Sequence, residues 1–122
     1  MSFTDDLESK IQATYLEILK RKSPTGINGK TLNCDSFRKI VEEIKSEIMD
    51  GQNRGLTVLE MTNNIILKIL KLNFFVYNNH EMAAIIGYIY LKRQGVVINN
   101  FSKGSINNGS TLDEIKNLTA SW

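Results

Sequence analysis

The stretch NFFVYNNHEMAAI, Asn73 to Ile85, lies between two apolar runs, and its reading decides the fold. Upstream, Thr57 to about Leu72 places Val58, Met61, Ile65, Ile69 and Leu72 at helical spacing. Leu59, Ile66 and Leu70 fall off that stripe, so this helix is apolar on two faces and is expected to be central, buried on most sides. Downstream, Glu81 to Arg93 carries Met82, Ala83, Ile85, Ile86, Ile89 and Tyr90, another helical pattern. The small residues Ala83, Ala84 and Gly87 would let a neighbouring helix come close, and Gly95 is a good stop. The stretch itself becomes the loop of a central helix–loop–helix. Asn78, followed three residues later by Glu81, reads as an N-cap with a reciprocal acidic partner.

Working outward, Asp5 to Lys22 reads as a first helix. Thr4 can cap it, and Phe3, Leu7, Ile11, Tyr15, Ile18 and Leu19 share one face. Pro24 ends it. In SPTGINGKTLNCDS the pair Asn28-Gly29 tolerates positive φ and marks a turn, so a hairpin or an ordered loop follows. Ser36 or Asp35 caps a second helix, Phe37 to Met49, with Phe37, Ile40, Val41, Ile44 and Ile48 inward; Gly51 and Gly55 bracket a break. Val96 to Ile98 reads as a short extended piece, and residues 99–110, NNFSKGSINNGS, as a mobile surface loop. The last helix is Leu112 to about Ala120, started by a capping box of Thr111 and Glu114. The expected fold is all-α: a compact bundle of about five helices in one domain, residues 1–122.

Composition excludes several classes. The net charge of +2, from 15 basic and 13 acidic residues, carries no nucleic-acid signal. The longest apolar run, Ile65 to Val76, is broken by Lys68, Lys71 and Asn73, which excludes a membrane span. The start MSFTDDLESK is acidic and polar, unlike a signal or transit peptide. Cys34 is the sole cysteine and His80 the sole histidine. One thiol cannot staple the chain to itself, so a reducing, cytoplasmic setting is expected. One cysteine and one histidine cannot build a zinc site, and Cys34 reads as a small buried side chain. Trp122 is either a docked anchor or an unpaired end.

Val58 to Ile98 resembles the core of the Fic/Doc (death-on-curing) family. That family has a buried helix, a loop with the motif HPFx[D/E]GN[G/K]R and a helix whose start holds phosphate. In Doc-like members the motif continues as TAL…LFLxxNGV. Without a gap, Phe75 falls on the motif Phe, Asn79 on the Asn, and Ala83 on the Ala after the Arg. Tyr90-Leu91 falls on the Phe-Leu and Gly95-Val96 on the terminal Gly-Val. The departures lie at the chemical positions. Asn73 replaces the His, Phe74 the Pro, Tyr77 the acidic residue, Asn78 the Gly, His80 the Gly or Lys, and Glu81 the Arg. Upstream, TGINGKTL from Thr25 to Leu32 resembles the inhibitory SAIEGNTL of many Fic proteins, with Asn28 in place of its Glu.

The resemblance implies transfer of AMP or phosphate from a nucleoside triphosphate to a protein hydroxyl, and this chain departs from each part of that chemistry. Asn73 has a neutral amide and cannot serve as general base. Tyr77 is a poor magnesium ligand, because its phenol stays protonated near neutrality. Glu81 sets an anion at a helix start where the family sets a phosphate-holding cation. His80, at the start of the same helix, reads as a solvated or capping residue. The expectation is a catalytically degenerate domain with a binding or regulatory role, in a toxin–antitoxin or mobile-element context. It would have a protein partner, no cofactor and no metal. Its contact surface would be Phe74, Phe75 and Tyr77, since three aromatics in one loop are not all expected to be buried; the same three would otherwise plug the old cleft. One alternative is a divergent nucleotidyl- or phosphotransferase using His80 and Asn79 with ATP and magnesium. Another is an unrelated small helical interaction protein.

Overall fold

The computed structural model describes residues 3–22, 30–96 and 112–120 together with Trp122. Among them it contains five helices and no strand: α1 Leu7–Lys22, α2 Phe37–Asn53, α3 Val58–Leu72, α4 Asn79–Arg93 and α5 Leu112–Leu118. The protein is an all-α bundle, and no helix among the described residues is long and apolar enough to cross a membrane. The Asn28-Gly29 turn, the Val97-Ile98 extension, the 99–110 loop and Thr111 of its capping box lie outside the described residues.

Helix α1 buries the expected face, Leu7, Ile11, Tyr15, Ile18 and Leu19, and Phe3 packs edge-on against Tyr90 of α4 at 5.3 Å. It starts at Leu7, later than expected, because Asp6 takes a left-handed conformation with φ 53°. Helix α2 overruns its expected end at Met49 and continues to Asn53. Gly51 is therefore no break. A Cβ there would sit 2.4 Å from Met61 Cε, so the glycine makes room for α3. The stop is Gly55, with φ 68°. Its N–H bonds the Gln52 carbonyl and the Leu56 N–H bonds the Gly51 carbonyl, a Schellman closure. Gly95, at φ 83°, ends α4 the same way, with Gly95 N–H on Lys92 and Val96 N–H on Leu91.

The central helix is α4, not α3. From Glu81 to Tyr90 every residue except Ala84 is buried. Helix α3 buries Met61, Thr62, Ile65 and Ile69 but leaves Leu59 68% and Leu67 52% exposed. Two helices of similar composition cannot both occupy the middle of a small bundle. The contact between them is close: a Cβ on Gly87 would meet Ile66 Cδ1 at 2.7 Å, which is the use expected for that glycine. On the other flank of α3, Lys68 reaches Glu43 of α2 at 3.4 Å and Glu47 at 3.8 Å.

Candidate functional site

The loop between α3 and α4 is held by main-chain and amide hydrogen bonds. Asn73 ends α3 in the left-handed region at φ 50°, where asparagine is tolerated better than most residues. Asn79 then turns its side chain back across the loop. Its Oδ1 accepts the Phe75 N–H at 3.0 Å, and its Nδ2 donates to the Phe75 carbonyl at 2.6 Å and to Asn73 Oδ1 at 2.7 Å. This uses both donors of the amide and one of its acceptor sites.

A second layer comes from elsewhere in the chain. Residues 31–33 form an isolated antiparallel bridge with 74–76, Leu32 opposite Phe75. Asn33 N–H bonds the Phe74 carbonyl at 2.7 Å, and Val76 N–H bonds the Thr31 carbonyl at 2.8 Å. Asn33 Nδ2 adds bonds to the Asn73 and Phe75 carbonyls. From α1, the Tyr15 hydroxyl lies 3.1 Å from the Tyr77 carbonyl and 3.2 Å from the Thr31 carbonyl, and accepts the Tyr77 N–H at 3.3 Å. The Tyr15 ring packs on Phe75 with centroids 4.5 Å apart. Burial pushes the Tyr15 phenol above its ordinary pKa, with the Tyr77 main-chain bond partly opposing that.

The expected site residues separate into groups. Asn73, Phe75 and Asn79 are brought together by the hydrogen bonds just described. Asn78 is the N-cap of α4, as expected, but it sits at φ 62° and makes no side-chain cap bond. The expected reciprocal box with Glu81 is therefore not formed, because a side-chain cap needs an extended backbone at the capping residue. Glu81 is 2% exposed and belongs to the interior, which corrects the expectation of an anion presented at the helix start. His80 is exposed in the first turn.

Phe74 and Phe75 are buried, so the expected aromatic contact surface reduces to Tyr77, which is 43% exposed. Tyr15 and Asn33 escaped the sequence reading as loop residues. Tyr15 was legible only as a core position of α1, and no local pattern ties residue 33 to residue 74.

Two surface grooves lie away from the loop. One, about 410 Å³, runs along α1 beside Leu118 and Trp122. The other, about 340 Å³, lies between α2 and α3 beside Leu67 and Lys71. Trp122 is a docked anchor: its indole N–H donates to Thr14 Oγ1 at 2.8 Å, and its carbonyl accepts from Lys10 and Arg93. Cys34 is half-buried, its Sγ 3.4 Å from the Ser36 carbonyl. Among the described residues no group of three His, Cys, Asp or Glu side chains could hold a metal ion. No family model, curated protein or solved structure matches the chain.

Proposed function

We propose that this protein is a Fic/Doc-like domain that has lost the transfer chemistry and acts in the cytoplasm by binding a protein partner, in a toxin–antitoxin or mobile-element setting. The family part of this reading rests on the resemblance of Val58 to Ile98. The observation that carries the loss of chemistry is the use made of Asn79. Its amide is spent on Phe75 and Asn73, the residue at the position of the family's general base. A group committed to three internal hydrogen bonds is poorly placed to receive a substrate, since each bond would have to be exchanged on binding. Glu81 supports the same reading: it stands, buried, where the family carries a phosphate-binding Arg, so that position offers a triphosphate no cation.

Isothermal titration with ATP, with and without magnesium, tests this reading. The expected result is no heat of binding in either buffer. Metal-dependent ATP binding at micromolar affinity would sink it and restore the divergent transferase that uses His80 and Asn79.

A further inference from the structure

We propose that the Tyr15 hydroxyl is a catch that makes the strap Lys30 to Cys34 and the loop Phe74 to Tyr77 open and close as one unit. The strap and loop share a bridge of two main-chain hydrogen bonds, Asn33 N–H to Phe74 and Val76 N–H to Thr31. A paired ribbon this short is not stable alone in water and needs outside support. Asn33 Nδ2 supplies part of it, at the Asn73 and Phe75 carbonyls. Tyr15 supplies the part that reaches both partners from a third element. Its oxygen lies 3.2 Å from the Thr31 carbonyl on the strap and 3.1 Å from the Tyr77 carbonyl on the loop.

A phenol has one proton, so it donates to one of these carbonyls at a time while accepting the Tyr77 N–H. With the proton on the Thr31 carbonyl, the hydroxyl accepts from the loop and donates to the strap at once, so Tyr77 N–H, Tyr15 hydroxyl and Thr31 carbonyl form one hydrogen-bonded chain. Bonds in such a chain polarise one another, so losing either neighbour weakens the bond to the other, which is the physical basis for coupled opening. The ring stays anchored between Phe75 and Phe37, so the catch can release without α1 moving. Release uncovers the main-chain edge of residues 74–76 that the strap now occupies. This inference does not depend on the family resemblance or on the fate of the transfer chemistry.

Amide hydrogen exchange, read residue by residue on Tyr15→Phe, tests the catch. The variant keeps the ring and removes only the hydroxyl. Exchange at Asn33, Val76 and Tyr77 should rise together by about tenfold, with Ile85, Ile86 and Ile89 of α4 unchanged. A rise at Tyr77 alone, no rise at all, or an equal rise in α4 overturns the proposal. Should the variant not fold, the unaltered protein in increasing sub-denaturing urea gives the same decision. One shared opening for Asn33, Val76 and Tyr77, below the global transition, supports the catch; separate openings refute it.

Discussion

Helices α3 and α4 are each 15 residues long and flank the same loop, yet they behave in opposite ways. Helix α3 opens with a complete capping box: Thr57 Oγ1 accepts the Glu60 N–H at 3.2 Å, and Glu60 Oε1 accepts the Thr57 N–H at 3.0 Å. It buries one face and leaves leucines in water on another. Helix α4 opens on a left-handed asparagine with no side-chain cap bond and is buried nearly all round. A helix half in solvent draws on its own local devices, while one wrapped by neighbours can do without them. Local signals in a sequence are therefore most informative for the peripheral helix and least for the central one.

The contrast breaks first if burial does not separate the two helices. Ile86→Ala in α4 should cost about 2–5 kcal/mol, whereas Leu67→Ala on the open face of α3 should stay within about 0.5 kcal/mol. Urea midpoints at unchanged slope give both values, and equal losses would abolish the distinction. The next largest effect concerns their contact. Gly87→Leu drives side-chain atoms into the space held by Ile66 and should cost about 1–3 kcal/mol. If α3 gives way freely, the cost vanishes and the contact is looser than its geometry indicates.

The helix starts come next. Thr57→Ala removes a made cap bond and should cost about 1 kcal/mol, while Asn78→Gly should be near neutral, because glycine accepts positive φ and no side-chain cap bond is lost. Thermal melting of both variants reads this directly; an equal loss in both would mean that Asn78 does cap α4.

The smallest effect is acid-dependent and belongs to the α3 side. Lys39, and then Lys68, hold the Glu43 carboxyl below the usual carboxylate range, and the Thr57 main-chain bond does the same for Glu60. Lowered folded-state values mean that this stability is present above the unfolded carboxyl pKa of about 4.3 and is lost as pH falls through the folded value. Melting temperature should therefore drop with acid below that pH. In Lys68→Met the drop should be shallower, since the Glu43 share shrinks. An unchanged acid slope would show that the α2–α3 ion pairs contribute nothing to it.

Much of the bundle was legible in advance. The α1 face from Phe3 to Leu19 and the stop at Gly95 followed from helical spacing and glycine placement, and both appear in the fold. The misses have a common cause. Gly51 looked like a break, but Met61 packs where its Cβ would be. Asn78 and Glu81 looked like a capping box, but the backbone at Asn78 faces the wrong way and Glu81 is drawn inside. Phe74, Phe75 and Tyr77 were expected to form one contact surface, but only Tyr77 is exposed, since Tyr15 packs on Phe75 and both phenylalanine rings are buried.

By itself the sequence determined which segments are helical and which face of each prefers burial, because those properties depend on residues three or four apart on one chain. Only the tertiary structure decided which apolar helix takes the centre, and that the 73–78 loop is tied down by Tyr15, Thr31 and Asn33. These outcomes depend on competition for a limited interior and on hydrogen bonds between residues 40 or more apart, such as Asn33 to Phe75 and Tyr15 to Tyr77, which no local pattern encodes.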